Sequence, residues 1–142
     1  MTYVNPSDTN FAAFKNLPRD TPIQMFNLVR YRKEAAYPED HPNHGKGWSG
    51  DEAYREYGKT SGPIFARVGG KLVWRGRYET VLTGPDDEHW DAAFIAEYPD
   101  AAAFFEMITD AEYQKAVVNR TAAVEDSRLI RFAKSGGGEG FS

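Results

Sequence analysis

The chain has 142 residues, with 17 Lys and Arg against 21 Asp and Glu for a formal net charge of −4. A domain of this size buries about 70% of the surface its unfolded chain exposes, enough for a core without covalent staples. The absence of Cys excludes disulfides, thiolate nucleophiles and Cys-ligated metal centres, and a mildly acidic balance without a clustered basic run argues against nucleic acid as a partner.

The first residues, MTYVNPSDTN, carry neither the basic nor the apolar region of a secretory signal, and no stretch approaches the roughly 20 apolar residues of a membrane helix. A cytoplasmic location without a membrane partner is expected. Aromatic residues make up 14% of the chain, and such side chains serve cores, interfaces and ligand pockets alike.

In chain order, Phe11, Phe14 and Leu17 follow Ser7, a candidate N-cap, and stop at Pro18, which predicts one short helix. Ile23 to Tyr31 (IQMFNLVRY) is rich in strand formers and too short for a helix. Residues 32–48, with two Pro, two His and two Gly and no periodicity, read as a long exposed loop. Ser49-Gly-Asp-Glu52 matches a capping box and opens a helix that Gly69-Gly70 terminates, with a kink expected at Pro63. Lys71–Thr83 reads as a strand, with Gly76 a bulge or a point of close approach, and Trp90–Tyr98 as another. Pro99 and Asp100 open a helix through Ile108, and Thr109-Asp-Ala-Glu112, a second capping-box match, re-caps a turn through about Glu125. Arg128–Ala133 is the last strand. Residues 1–134 form one domain with an N-terminal helical extension, and 135–142 (SGGGEGFS) a flexible tail.

Strand, helix, strand, strand, helix, strand is the ferredoxin-like βαββαβ order, an α+β fold with a four-stranded antiparallel sheet and two helices on one face. The opposite face would be bare in a monomer, so a homodimer is expected.

The blocks MFNLVRYR (25–32), GGKLVWRGR (69–77), FIAEYPD (94–100) and DAEYQKAVVNR (110–120) resemble a domain-of-unknown-function family of the dimeric α+β barrel superfamily, over roughly Ile23 to Phe132. The resemblance implies two sheets facing one another across a dimer barrel. It also implies kinship in fold with cofactor-independent monooxygenases of the antibiotic-biosynthesis type, dehydratases, chlorite-handling haem proteins and stress-responsive proteins. Such a fold does not choose a function, and the resemblance carries over no catalytic residue.

Strand alternation supplies the candidate residues, because period two sends alternate side chains to opposite faces. Leu72, Trp74, Gly76, Tyr78 and Leu82 share one parity, as do Trp90, Ala92, Phe94, Ala96 and Tyr98, and this apolar set is assigned to the helix-packed core. Arg75, Arg77, Asp91 and Glu97, with Asn27 and Arg131, are assigned to a polar face lining the barrel. That face is either an ion-pair network at an interface or a substrate site. In the second case Arg77 would stabilise an anionic oxygen, Glu97 would move a proton, and Asn27 and Arg75 would bind substrate. Tyr54, Tyr57 and Trp74 are either core or an aromatic wall for a planar ligand.

His41-Pro-Asn-His44 lacks a third ligand and specifies no metal site; His41 is either a solvated loop residue or an acid–base group on a lid. Gly69-Gly70 follows a helix and precedes a strand, the reverse of phosphate-binding order. No nucleophile elbow, haem-ligand pattern or dinucleotide fingerprint is present, so no cofactor is expected. The resulting reading is a small-molecule-binding protein or cofactor-independent enzyme, monooxygenase-like by resemblance alone, acting on a small, partly aromatic or anionic substrate. The alternative is a non-enzymatic homo-oligomeric interaction or stress-related protein.

Overall fold

The computed structural model describes residues 1–138, 140 and 141. Its elements run α1 (Asp8–Lys15), β1 (Ile23–Tyr31), α2 (Gly50–Arg67), β2 (Lys71–Gly76), β3 (Ala92–Tyr98), α3 (Ala101–Thr109), α4 (Ala111–Ala123) and β4 (Val124–Ala133). The four strands form one antiparallel sheet in the order β2-β3-β1-β4, the ferredoxin-like arrangement, with the second helix split into α3 and α4.

Local chemistry sets the boundaries. Ser49 Oγ accepts from the Glu52 amide and Glu52 returns the bond to the Ser49 amide, both at 3.1 Å, so the capping box that opens α2 is complete. The helix continues through Pro63, where Thr60 and Ser61 hydroxyls donate to carbonyls a turn earlier, and ends before Gly69 at φ +91°. The second cap sits one residue later than its sequence pattern suggests. Asp110, not Thr109, caps α4, its Oδ1 accepting from the Glu112 and Tyr113 amides while its Oδ2 pairs with Arg67 at the end of α2, 2.7 Å away. The carboxylate can do both because it has two oxygens, and a threonine hydroxyl cannot.

Three strand boundaries move. β4 begins at Val124 rather than Arg128, because α4 passes directly into it without a loop. β3 begins at Ala92 rather than Trp90, and β2 ends at Gly76 rather than Thr83. Of the tail expected over 135–142, residues 139 and 142 lie outside the described residues; 135–138, 140 and 141 contain no helix or strand.

The core lies between the sheet and the helices. β1 sends Ile23, Met25 and Val29 into it, Ile23 and Met25 against Ile64, Val68, Met107 and Tyr113, and Val29 against Ala53, Ala122 and Val124. Phe11 and Phe14 of α1 pack edge-on against Phe105, which fixes the extension onto α3.

A register shift in β2 overturns part of the face assignment. Leu72 pairs with Ala96, but Trp74 pairs with Ile95, so Val73 is an extra residue and every later side chain changes face. Trp74 and Gly76 therefore leave the helix side for the open side, and Arg75 moves the other way. Asn27 pairs with Phe94 and Leu129, and Arg131 with Met25, which puts both on the helix side rather than on the open face. Asn27 is buried there and donates to the Met25 carbonyl at 3.0 Å. Arg131 lies 4.9 Å from the Phe14 ring and donates to the Phe14 and Pro18 carbonyls, so it anchors α1. Asp91 precedes β3 and accepts from the Tyr31 amide at 2.7 Å.

At the start of α2 three backbone segments meet closely. The Gly50 amide donates to the Arg32 carbonyl, the Arg32 amide to the Ala123 carbonyl, and a Cβ on Gly50 would collide with both carbonyls. Gly50→Ala is expected to lose about 2 kcal/mol or more by overpacking. Gly58→Ala, where a Cβ meets open space in the same helix, is expected to gain up to about 1 kcal/mol; urea unfolding of the two variants checks the pair.

Candidate functional site

The face of the sheet opposite the helices is apolar at its centre. β1 contributes Phe26 and Leu28, β3 contributes Ile95, β4 contributes Ile130 and Phe132, and the bulge adds Trp74. Trp74, Ile130 and Phe132 are 46, 45 and 52% exposed in the single chain. Phe26 sits between two rings, stacked on Trp74 at 6.3 Å between centroids and inclined at 70° to Phe132 at 6.5 Å. The close approach expected at Gly76 is real, since a Cβ there would fall 2.5 Å from the Trp74 ring. The polar interior expected for this face is thus replaced by an aromatic one, with the charges at its two ends.

At one end Glu97 is buried and accepts from Gln24 Nε2 at 3.0 Å, while Lys71 and Lys134 place their ammonium groups 3.4 and 3.3 Å from its oxygens. Burial pushes its carboxyl up, but the hydrogen bonds from Gln24, Lys134 and Lys71 outweigh that and hold the pKa below the ordinary value. Next to this cluster is a cleft of about 310 Å³ lined by Gln24, Phe26, Ile95, Phe132, Ala133 and Ser135. At the other end Arg30 pairs with Glu125 and Asp126, and Arg128 with Asp126. The Arg128 guanidinium lies over both Tyr3 and Trp90, at 5.0 and 5.5 Å from their centroids.

The other candidates lie elsewhere. Arg77 follows Gly76, the last residue of β2, whose partner Ala93 lies four residues of β3 from Glu97, or about 13 Å along the strand. It is exposed, as is Arg75. His41 stacks on Tyr37 at 4.7 Å and accepts from the Asn43 amide through Nδ1; the His44 Nδ1 meets the Tyr37 carbonyl. The loop 32–48 is tied down by these bonds and by that of Tyr37 to Asn119. A second recess of about 500 Å³, lined by Lys33, Glu34, Gly47, Ser49 and Glu52, has its Ser49 and Glu52 groups committed to the α2 cap.

Tyr57 belongs to a tyrosine layer on the helix side. Its hydroxyl lies 2.8 Å from that of Tyr113, and Tyr54 packs beside it. Burial raises the Tyr54, Tyr98 and Tyr113 pKa values well above the ordinary phenol, and burial assisted by Asp51 and Asp91 lifts Tyr31 to about 12. These phenols stay protonated, and the Tyr98 hydroxyl donates to Met107 Sδ. Trp74 and Glu97 are thus the two sequence candidates that share the open face. Phe26, Phe132, Lys71, Lys134 and Gln24 were missed, although β1 carries the signal: IQMFNLVRY is apolar at both parities, the pattern of a strand covered on two sides.

Residues 48–132 match the family model described as a domain of unknown function, DUF1330. The chain belongs to the DUF1330 family. It is similar to RPA0582, a protein of unknown function from Rhodopseudomonas palustris, at 51% identity over 96% of this chain and 100% of that one, with a TM-score of 0.88. A structure of methylated RPA0582 gives 0.89 at the same identity, over 97% of this chain and 98% of that one. SnoaB, a cofactor-independent oxygenase from Streptomyces nogalater, is similar at 14% identity and a TM-score of 0.51, over 82% of this chain and 96% of that one, a likeness of fold alone. No curated protein matches the sequence. No helix among the described residues is long and apolar enough to cross a membrane.

The depressed Glu97 pKa makes a signed prediction. Its ion pairs stabilise the folded chain above the unfolded carboxyl pKa of about 4.3, and that contribution is lost as pH falls through the lower folded value. Glu97→Gln is expected to be less stable than the parent at pH 7, with the difference shrinking steadily below about pH 4. Urea unfolding across pH 2.5–7 reads this directly, and a difference independent of pH would contradict it.

Proposed function

We propose that this DUF1330 protein is a homodimeric small-molecule-binding protein, and that its ligand is a small planar aromatic anion held in the cleft on the open sheet face once a second copy covers that face. The observation that carries the reading is the aromatic face itself. Phe26, Trp74 and Phe132, with Leu28, Ile95 and Ile130, form a contiguous apolar surface that a single chain leaves in water, and surfaces of this kind mark interfaces or ligand grooves. Rings already arranged in stacked and edge-on pairs suit a further planar ring. Two lysines against one carboxylate leave the adjacent end net positive, which favours an anionic substituent.

In this reading Trp74 is a wall of the site and Glu97 holds Lys71 and Lys134 in place. A general base works best with a pKa near the operating pH, and Glu97 is displaced the other way. Arg77 and His41 stand apart from Glu97, so the three make no common catalytic centre within one chain. Binding without turnover is therefore favoured over the monooxygenase-like chemistry that the SnoaB architecture brings to mind.

The test is calorimetric titration of the wild-type protein with 1-naphthoate, after sedimentation has established its oligomeric state. Saturable binding is expected. Loss of both ammonium groups in Lys71→Ala/Lys134→Ala should weaken it about tenfold or more, and 1-naphthalenemethanol should bind correspondingly more weakly than the acid. A dimer that takes up neither naphthoate nor a panel of arylcarboxylates would favour the non-enzymatic interaction protein, and a monomer would overturn the dimeric reading.

A further inference from the structure

The strand registers line up one residue from each strand across one end of the open face. Lys71 on β2 pairs with Glu97 on β3, Glu97 with Gln24 on β1, and Gln24 with Phe132 on β4. Partners directly opposite one another stand about 5 Å apart, so the row runs from a cation through a carboxylate and an amide to an aromatic ring. Phe26 and Ile95, paired in the next row of the same face, form the apolar floor of the cleft beside it. Gln24 and Ser135 are the polar side chains that line this cleft.

A glutamine amide has one donating and one accepting corner, and Glu97 decides which way round Gln24 lies. The carboxylate pairs with Lys71 and Lys134 at 3.4 and 3.3 Å, so it is ionised and can only accept. Gln24 therefore turns Nε2 toward it, in the 3.0 Å bond to Glu97 Oε1, and the amide oxygen faces the other way. No donor among the described residues reaches Gln24 Oε1. Every fully buried side-chain oxygen among the described residues has a partner, so this unpaired acceptor is accessible. Ser135 makes no comparable demand, because a hydroxyl rotates to donate or accept.

We propose that Gln24 is the specificity-determining residue of the cleft, and that its locked amide oxygen selects aryl carboxylates carrying a phenolic hydroxyl meta to the carboxylate. The inference rests on the aromatic-anion reading above and names the second polar group such a ligand carries. The carboxylate goes to the Lys71 and Lys134 ammonium groups around Glu97. The acceptor stands one strand spacing further along the row, about 5 Å, which matches the separation of meta substituents on a ring lying over Phe26 and Ile95. A hydroxyl there donates to Gln24 Oε1. A methoxy group has no proton to give and sets oxygen against oxygen, leaving a desolvated acceptor unpaired. A site built to bond a ligand hydroxyl rejects analogues that lack it, and the bond from Gln24 to Glu97 keeps the amide from flipping to suit them.

Calorimetric titration of the full-length protein with 2-naphthoate, 4-hydroxy-2-naphthoate and 4-methoxy-2-naphthoate tests this. The hydroxy acid is expected to bind about fivefold tighter than 2-naphthoate, and the methoxy acid about fivefold or more weaker. Gln24→Met, verified as folded by circular dichroism, replaces the amide with a flexible apolar chain. In that variant the hydroxyl is expected to give no more than about a twofold advantage. Hydroxy and methoxy acids that bind the wild type alike, or a hydroxyl preference that survives in Gln24→Met, would overturn the role of Gln24 and leave the aromatic-anion reading standing. Failure of all three acids to bind would overturn that reading and this inference with it.

Discussion

The central strand is apolar on both sides, and the rest of the architecture answers to that constraint. β1 sits between β3 and β4, so its backbone is paired on both edges while its side chains meet two different environments. Ile23, Met25 and Val29 find the helices within the same chain. Phe26 and Leu28 find nothing comparable, and the neighbouring strands extend their surface with Ile95, Ile130 and Phe132 instead of interrupting it with charge. Each such side chain contributes roughly 1.5–3 kcal/mol when taken out of water, so a face carrying five or six of them holds a large fraction of the stability of a domain this size. The helix side is settled within the chain, and the open side calls for a partner.

Charge on that face is placed where it stays partly hydrated. Lys71, Lys134 and Glu97 gather at one end, and Arg30, Glu125, Asp126 and Arg128 at the other. Ions in the middle of a sheet covered by a second sheet would lose several kcal/mol each in hydration unless fully paired. Confining them to the ends lets exposed lysine stems keep water while Glu97, which is buried, is satisfied three times over. The same division gives the cleft beside Glu97 an apolar floor and a charged end, which neither a uniformly polar nor a uniformly apolar face could provide.

What the sequence made legible was whatever depended on local chemistry. The Ser49 capping box, the Ser7 cap, the full extent of β1 and the βαββαβ order all follow from neighbouring residues acting on one another. The lost information was register. Nothing in KLVWRGR marks Val73 rather than Gly76 as the extra residue, because a bulge is decided by how β2 lies against β3, and one inserted residue exchanges the faces of Trp74 and Arg75. Asn27 and Arg131 were misplaced for a related reason. Polarity suggested the open face, whereas Asn27 meets its hydrogen-bonding needs on the Met25 carbonyl and Arg131 on the carbonyls around α1. The apolar double parity of β1 was readable, and it predicts an aromatic open face once β1 is treated as the middle of the sheet.

That position of β1 also bears on what the family match can mean physically. The matched residues, 48–132, begin after β1. Removing the residues before 48 would leave β4 with no strand beside it, since β4 pairs with β1 and not with β3. Val124 and Ala123 would lose Val29, and the Gly50 amide would lose the Arg32 carbonyl that seats the start of α2. The matched stretch is therefore not a folding unit in this protein; the unit includes β1. The α1 extension has its own reason to accompany it, because the Arg131 guanidinium on β4 is satisfied by the turn that follows α1. The likeness to RPA0582, which spans 96% of this chain at 51% identity, extends well beyond the matched stretch, in keeping with a unit that has β1 at its centre.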